Sequence, residues 1–378
     1  MDFSLNAEQQ LLKDSVDKYM SERYDSEQRR SYLAAPKGFS AAVWQDFGNL
    51  GWLTVPLPES EGGFGGSVVD TAVLMEAMGR SVAVEPYLAT VLLAGQLIAN
   101  GDNATLKERY LPDILSGNCQ AAFAYQERRS RHQLDAIDCQ LERNGDGYSL
   151  NGHKTLVLNG AIADVLIVTA WLDESIALFA VPANSAGVHC DAFRLMDGQG
   201  VANVRFDAVQ LPRENLVCAG AGSMALIRRV LDEATIAVSA QAVGAMEYLL
   251  KATVDYSNTR KQFGQPIGKF QALQHRMVDM YTATEQCRSL LVRALCSNSI
   301  EQGDVQTQAQ AEMDIAALKA MVGKHGRAVA EEAVQIHGGM GVTEELNIGD
   351  YLKRLMVIDS LFGDQDWQRR RFATLRYQ

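Results

Sequence analysis

Residues 165–170, Val-Leu-Ile-Val-Thr-Ala, and residues 176–181, Ile-Ala-Leu-Phe-Ala-Val, form two short apolar runs with Asp173 and Glu174 between them. Runs of this length, rich in β-branched and aromatic residues and bounded by polar turns, are typical of buried strands. Similar runs occur at 148–154 and 201–207. Residues 120–217 are therefore predicted to form a small antiparallel β-barrel or sandwich.

Helical periodicity flanks this segment on both sides. Asn6 and Gln9 can form a capping box before an amphipathic opening helix. We predict an N-terminal α-helical domain at 1–119, a middle antiparallel β-barrel at 120–217 and a C-terminal four-helix bundle at 218–378. The four helices of the bundle are predicted at 224–258, 270–302, 307–338 and 345–377. Because strands and helices are segregated, the pattern indicates an α+β multidomain protein and disfavours a doubly wound sheet.

Composition excludes several classes of function. The 46 acidic and 35 basic residues among 378 give a net charge of -11, so a broad cationic face for nucleic acid is not expected. The start of the chain lacks a signal-peptide pattern, and its apolar stretches are shorter than the roughly 20 residues of a membrane span. The six cysteines include no Cys-x-x-Cys pair. We expect a soluble cytoplasmic protein with reduced thiols.

The common catalytic motifs are missing from the sequence. The six histidines are isolated from one another, so no metal site is expected. No Gly-x-Ser-x-Gly elbow or Walker sequence is present, which argues against serine hydrolases and nucleoside triphosphatases. Gly338-Gly-Met-Gly341 follows a predicted helix and does not join a strand to one. It is therefore interpreted as a helix end and turn.

Two longer motifs resemble signatures of the acyl-CoA dehydrogenase family. They are Thr259-Arg-Lys-Gln-Phe-Gly-Gln-Pro-Ile-Gly-Lys-Phe-Gln-Ala-Leu-Gln and Gln335-Ile-His-Gly-Gly-Met-Gly. The resemblance covers nearly the whole chain, through Gly62-Gly-Phe-Gly, Tyr110-Leu-Pro-Asp-Ile-Leu-Ser-Gly, Leu150-Asn-Gly-His-Lys and Phe206-Asp-Ala-Val-Gln-Leu-Pro. Within the family, the chain is most similar to the small subunit of pimeloyl-CoA dehydrogenase and to steroid side-chain acyl-CoA dehydrogenases. That narrower likeness rests on Phe123-Ala-Tyr-Gln-Glu, Ser130-Arg131, Lys353-Arg-Leu and Phe362-Gly-Asp.

The resemblance implies a fold of helical domain, β-barrel and four-helix bundle, which agrees with the segmentation above. It also implies an oligomeric flavoprotein that uses FAD to remove two hydrogens across the α and β carbons of an acyl-CoA. Electrons would then pass to an electron-transfer flavoprotein.

Positions that bind FAD are implied by the same motifs. In the family, one set holds the pyrophosphate and adenosine of the neighbouring subunit's FAD; the matching residues are Arg260, Phe263, Gln271, Gln335, Gly338 and Gly339. On the barrel, the family has Thr-Glu-Pro and Trp-Ile-Thr segments that face the flavin. This chain has Gln126-Glu127-Arg128 and Leu156-Val157-Leu158 there. Because a leucine side chain has no hydrogen-bond donor, Gln126, Leu156 and Leu158 are expected to form an eroded flavin-facing surface, unless a backbone amide replaces the lost hydroxyl.

The proton-abstracting base is the largest departure from the family pattern. The usual glutamate near the C-terminus aligns with Phe362, and the alternative glutamate on the first bundle helix aligns with Ala234. Neither side chain can accept a proton. Glu233 and Asp359 are the nearest candidates, but a shift of one residue rotates a helical side chain by about 100 degrees. Glu233 is therefore expected to point away from the family position.

A basic run, Arg128, Arg129, Arg131 and His132, occupies the segment where the family places residues near the substrate thioester and CoA. It would attract CoA phosphates or the far carboxylate of a dicarboxylic acyl chain. A solvated cationic loop explains the same residues.

Three functions are compatible with the sequence. The first is a base-lacking acyl-CoA dehydrogenase subunit that works with a larger homologous subunit. The second is a self-sufficient homotetrameric enzyme that uses Glu233 or Asp359 as base. The third is a non-enzymatic flavin or acyl-CoA binding protein.

Overall fold

The computed structural model describes residues 4–299 and 305–377. Their contacts divide the chain into two compact units. The helical unit contains Met1–Arg30, Ser67–Ala83 and Thr235–Gln378, and the sheet unit contains Ser31–Gly66 and Val84–Ala234. The N-terminal third of the chain thus contributes to both units.

Helices α1 to α6 precede the sheet. Asn6 and Gln9 form the expected capping box, with the Gln9 amide donating to Asn6 Oδ1 at 2.8 Å and the Asn6 amide donating to Gln9 Oε1 at 3.1 Å. A fully buried π-helix, Leu88–Gly95, leads directly into α5. The six α-helices are α1 Ala7–Arg23, α2 Ser26–Ala34, α3 Ala41–Asn49, α4 Val68–Ser81, α5 Gln96–Ala99 and α6 Ala104–Leu115.

The middle of the chain forms one eight-stranded sheet. Its strands are β1 Ala121–Ala124, β2 Gln140–Asn144, β3 Gly147–Leu158, β4 Val165–Leu172, β5 Ser175–Pro182, β6 Val188–Arg194, β7 Gly200–Pro212 and β8 Leu216–Cys218. Seven of them run in the order β6-β7-β3-β2-β4-β5-β8, and β1 pairs with β4 beside that path. The two apolar runs are an antiparallel hairpin, with Val165 opposite Pro182 and Leu172 opposite Ser175.

The expected antiparallel barrel is wrong in two respects. Among the described residues, β6 pairs only with β7 and β8 only with β5, so the sheet is open. Strands β1 and β2 both pair with β4 in parallel, so the sheet is mixed. The edges explain the open form, because β8 has three residues and β6 is largely exposed along its length. Alternate residues of the inner strands, such as Leu150, Phe179 and Phe206, form the buried core of the sheet.

Five helices follow the sheet in the described part of the chain. They are α7 Ala221–Thr259, α8 Gln271–Ser299, α9 Val305–His337, α10 Ile348–Ser360 and α11 Gln365–Tyr377, with a short hairpin of β9 Lys261–Gln262 and β10 Gln265–Pro266 between α7 and α8. Helix α9 contacts α8, α10 and α11. The last residues of the helix predicted at 270–302 lie outside the described residues. The single helix predicted at 345–377 is wrong, since two helices with a turn between them occupy that range.

A buried lysine on α9 fixes the turn between α10 and α11 through hydrogen bonds. Phe362 and Gly363 have φ values of +55° and +100°, which end α10 because they leave the right-handed helical region. Lys319 Nζ, fully buried on α9, donates to the Asp359 carbonyl at 2.8 Å and to the Gly363 carbonyl at 2.9 Å. Gln368 Nε2 donates to the Phe362 carbonyl at 2.7 Å. Two side chains thus fix a strained backbone through three hydrogen bonds.

Helices α4 and α7 approach each other closely at two glycines. A Cβ built on Gly79 would lie 1.9 Å from the Gln241 carbonyl oxygen, and one on Gly244 would lie 2.0 Å from the Glu76 carbonyl oxygen. Neither partner can yield, because both are helix backbone. Glycine at these positions therefore sets the spacing of the two helices.

Gly244→Ala should lower the free energy of unfolding by about 1 to 3 kcal/mol, because the added methyl group forces α4 and α7 apart. Urea denaturation monitored by circular dichroism measures the change. Gly222→Ala, on the same helix, is the control, since nothing lies within 4 Å of its added Cβ. Equal stability of the two variants would contradict the close crossing.

Lys319 also predicts a pH dependence of stability. Burial lowers its pKa from 10.5 to about 8, although Asp359 and Asp364 oppose the shift. Between these two values the unfolded chain binds more protons than the folded one, so stability should rise with pH through that window. This gain in stability should be absent in Lys319→Met, because all other titratable groups are the same in the variant and in the parent chain. Urea titrations of both chains at several pH values from 7 to about 10.5 measure this gain in stability. Matching pH profiles of the two chains would show that the pKa of Lys319 is not shifted.

Candidate functional site

In the helical unit, Arg260 lies at the end of α7 with its side chain exposed. Its backbone is fixed, because its amide donates to the Tyr256 carbonyl at 2.8 Å and its carbonyl accepts from the Ile267 amide at 2.8 Å. Its guanidinium forms no ion pair with any residue in 4–299 or 305–377. A fixed backbone with an uncompensated guanidinium is suited to bind an anion.

The β9–β10 hairpin presents Phe263 beside Arg260. Phe263 has a φ of +53° and is 90% exposed, which is unusual for a phenylalanine. Its ring meets Phe270 edge-on at 6.1 Å, and Gln271 begins α8 immediately after Phe270. An exposed ring held by a second ring can cover a planar or apolar group of a ligand.

The end of α9 lies beside the end of α7. The Tyr256 ring stacks on His337 at 4.4 Å, and its hydroxyl donates to the His337 carbonyl at 3.4 Å. Burial lowers the pKa of His337, which favours its neutral form, although a hydrogen bond to the Ala333 carbonyl opposes the shift. Gly338 and Gly339 follow, both exposed, and an added Cβ on either would meet nothing within 4 Å.

These residues fit the pyrophosphate and adenosine of FAD. The surface offers one unpaired guanidinium, two glycines whose backbone a ligand can approach, and the exposed side chains of Phe263, Gln271 and Gln335. Backbone amides and arginine forks are the usual protein partners of phosphate oxygens. The donor set therefore agrees with the cofactor that the sequence motifs implied.

In the sheet unit, a bulge in β3 brings Leu156 beside Gln126. The register with β7 shifts between Lys154 and Val157, and the Thr155 amide donates to the Gln126 carbonyl at 2.8 Å. Leu156 has a φ of +54° and is 48% exposed. Its amide donates to Asn203 Oδ1 at 3.2 Å, so it is already engaged. Leu158, two residues on, is half-buried and pairs with Val201.

A buried ion pair fixes this part of the sheet. Lys154 Nζ donates to Glu127 Oε1 at 2.6 Å and to Thr169 Oγ1 at 2.9 Å. Burial alone would raise the pKa of the Glu127 carboxyl, but Lys154 and the amides of Asp138 and Cys139 outweigh it and lower that pKa. The sequence analysis missed this pair. The available signal was a lysine in β3 at the edge of the bulge, on a strand whose alternation of burial places position 154 in the core.

The two family base positions hold no acid. Ala234 is 1% exposed on α7, and Phe362 is half-buried in the turn held by Lys319. Asp359 Oδ1 accepts the Gln365 amide at 3.2 Å, so this carboxylate stabilises the start of α11.

Glu233 differs from a surface acid. It is half-buried and forms no hydrogen bond or ion pair with a described residue. Burial raises its pKa, Arg229 opposes the shift and Asp232 adds to it. An unpaired carboxyl with a raised pKa has one property of a general base.

Arg128, Arg129 and Arg131 are exposed, and none forms an ion pair within the part of the chain that the structure describes. They lie on a short loop that follows Gln126 and precedes β2.

A cavity of about 840 Å³ in the helical unit contains none of the predicted FAD residues. Two of its arginines are paired, since Arg80 and Arg288 both bind Glu76 and Glu247 at 2.8 to 3.3 Å. In residues 4–299 and 305–377, no three His, Cys, Asp or Glu side chains lie close enough together to hold a metal ion. None of the helices in those ranges has the length and hydropathy of a membrane span.

The chain is similar in sequence and in fold to known proteins. The model of the acyl-CoA dehydrogenase N-terminal domain matches residues 6–118, and that of the C-terminal domain matches residues 220–374. Cyclohex-1-ene-1-carbonyl-CoA dehydrogenase of Geobacter metallireducens is 30% identical over 309 residues, which are 79% of this chain and 80% of that protein. The ChsE4-ChsE5 complex of Mycobacterium tuberculosis contains a chain that superposes with a TM-score of 0.90 at 26% identity, covering 100% of this chain and 99% of that one. PigA with FAD and proline superposes with a TM-score of 0.89 at 25% identity, covering 100% of both chains. The chain belongs to the acyl-CoA dehydrogenase family of oxidoreductases.

Proposed function

We propose that this acyl-CoA dehydrogenase acts as a base-lacking subunit of a heteromeric complex. The observation that carries the proposal is an asymmetry. The exposed surface with Arg260, Gly338 and Gly339 keeps the chemistry that a cofactor needs, whereas Phe362 and Ala234 leave both family base positions without a proton acceptor.

FAD, when bound, supplies the two-electron acceptor for α,β-dehydrogenation of the acyl-CoA. The role of Arg260 is to bind the pyrophosphate through its guanidinium fork. The exposed backbone at Gly338 and Gly339 and the exposed side chains of Phe263, Gln271 and Gln335 would complete the site for the pyrophosphate and adenosine. All of these residues are exposed, so the surface serves a cofactor that a neighbouring subunit covers.

The sheet surface of Gln126, Leu156 and Leu158 supports the same division of labour. The Leu156 amide already donates a hydrogen bond to Asn203 Oδ1. It is therefore not free to replace the hydroxyl that donates to the flavin in the family. In the proposed assembly, a larger homologous subunit contributes the intact flavin-facing sheet and the glutamate. The ChsE4-ChsE5 complex is a precedent for an assembly of two different chains. An electron-transfer flavoprotein is the proposed electron acceptor.

The predicted domains, 1–119, 120–217 and 218–378, are retained as a proposal that the limits of the two family models support. A cytoplasmic location is likewise proposed, since the six cysteines are free thiols.

One observation favours the self-sufficient enzyme as a second candidate. The Glu233 carboxyl is half-buried and unpaired, and burial raises its pKa. A general base before the reaction would have the same properties. Co-expression with a homologous subunit, followed by native mass, flavin content and turnover with a panel of acyl-CoAs, distinguishes the two candidates. Flavin binding without turnover in any assembly would instead favour a non-enzymatic binding protein.

Arg260→Ala should weaken FAD binding by roughly 1.5 to 3 kcal/mol, because it leaves the pyrophosphate charge without its partner. Flavin retained per chain after gel filtration measures the loss. Arg370→Ala, an exposed arginine on α11, is the control and should retain flavin fully. If Arg260→Ala also retains it, Arg260 does not belong to the cofactor site.

Glu233→Gln tests the second candidate. If Glu233 is structural, turnover of the assembled complex should stay within about threefold, because glutamine keeps the size of the side chain and leaves no described partner of Glu233 unpaired. Asp359→Asn and the exposed Glu331→Gln serve as comparisons. A loss of about 10² or more in turnover with FAD still bound would identify Glu233 as the base and overturn the base-lacking proposal.

A further inference from the structure

Two long helices end at the surface that carries Arg260 and Gly338. Helix α7 ends at Thr259, just before Arg260, and helix α9 ends at His337, just before Gly338. The C-terminal end of a helix carries a partial negative charge, because its last carbonyl oxygens have no partner within the helix. Both ends would therefore repel a pyrophosphate unless other groups bind these oxygens or offset their charge.

Tyr256 on α7 joins the two helix ends. Its carbonyl accepts the Arg260 amide at 2.8 Å, and its hydroxyl donates to the carbonyl of His337, the last residue of α9, at 3.4 Å. Its ring also stacks on the His337 imidazole, with the ring centroids 4.4 Å apart and the planes 27° apart. One side chain of α7 thus fixes the end of α9 and satisfies a carbonyl that the helix itself leaves free.

The imidazole of His337 binds a second carbonyl near the end of α9. His337 is 5% exposed, and its Nδ1 lies 2.8 Å from the Ala333 carbonyl oxygen, which can only accept. Nδ1 therefore carries the proton and donates to this oxygen. The next residue, Gly338, has a φ of +62°, so the chain leaves the helix here with its backbone exposed.

The contact between Tyr256 and His337 sets the distance between two parts of the surface. It lies four residues before Arg260 on one chain segment and one residue before Gly338 on the other. Arg260 supplies the cation, and Gly338 supplies backbone that a ligand can approach, since an added Cβ there meets nothing within 4 Å. A shift of the contact would therefore move the cation relative to the exposed backbone.

We propose that Tyr256 and His337 are positioning residues for the pyrophosphate of FAD. They hold Arg260 and the Gly338 backbone in a fixed relative position, and they engage helix carbonyls that would otherwise repel the phosphates. Both residues act through Arg260 and Gly338. The inference rests on the proposed function and adds the means by which its cofactor surface is assembled before FAD binds, which lowers the entropic cost of binding.

The test compares ADP, which carries the pyrophosphate, with adenosine, which does not. Ligand-observed NMR titrations measure both affinities for the full chain, in its complex where one forms, before flavin is added. Tyr256→Phe keeps the ring and removes the hydroxyl, so it should weaken ADP binding roughly two- to fivefold and leave adenosine binding within twofold. Tyr256→Ala also removes the stacked ring and should weaken ADP binding by roughly tenfold or more.

Tyr248→Phe is the matched control. Tyr248 is also half-buried on α7, stacks on the Tyr351 ring at 4.3 Å and hydrogen-bonds to Asn347, but it lines the cavity of about 840 Å³. Its loss of a hydroxyl should leave ADP affinity within twofold. His337→Phe keeps a ring for the stack, so it should retain more ADP affinity than His337→Ala.

A selective loss of ADP affinity in Tyr256→Phe supports the positioning role. An equal loss of ADP and adenosine affinity would show a merely structural role and overturn the inference, as would unchanged ADP affinity in both Tyr256 variants. In that case a loss of ADP affinity in Arg260→Ala keeps the proposed cofactor surface. Unchanged ADP affinity in Arg260→Ala would instead remove the surface on which the proposed function rests. If Tyr256→Ala does not fold by circular dichroism, Tyr256→Phe and His337→Phe decide the test.

Discussion

A single buried ion pair, Lys154 with Glu127, joins strand β3 to the segment that carries Gln126 and the three exposed arginines. Lys154 is fully buried, and its ammonium is satisfied by Glu127 and Thr169. Glu127 in turn accepts the amides of Asp138 and Cys139, which close the loop that carries Arg128, Arg129 and Arg131. Removing either charged partner would leave the other buried and unpaired, at a cost of about 3 to 5 kcal/mol. Gln126, the Leu156 bulge and the three arginines all lie within a few residues of one partner of this pair.

The helical unit has a corresponding constraint at the turn before α11. There, Lys319 and Gln368 hold the backbone on both sides of Phe362 in a conformation that phenylalanine does not favour. Two buried side chains thus make three hydrogen bonds to a turn that presents Phe362, a side chain that can neither accept nor donate a proton. The turn therefore keeps a precise shape although the residue that would use it for acid–base chemistry is absent. This contrast agrees with a chain that retains the family scaffold and leaves proton abstraction to another subunit.

Local patterns predicted local structure well. The capping box at Asn6 and the strands at 165–170 and 176–181 are confirmed, because each depends on residues close in sequence. The closed barrel and the single helix at 345–377 were wrong, since edge pairing and the Lys319 contacts join residues far apart in the chain. The Lys154–Glu127 pair was missed for the same reason. The FAD residues and the missing base were both predicted from motif resemblance and stay predictions. The FAD residues are supported by their exposure and donor groups, and the missing base by the side chains of Phe362 and Ala234.

The most direct test of a base-lacking subunit is the anaerobic decay of flavin absorbance near 450 nm after mixing with acyl-CoA. The lone chain, reconstituted with FAD, should show almost no reduction with any acyl-CoA, because a general base is worth roughly 10² to 10⁴ in rate. The same chain assembled with a homologous subunit should be reduced quickly by at least one acyl-CoA. Rapid flavin reduction by the lone chain would contradict the account.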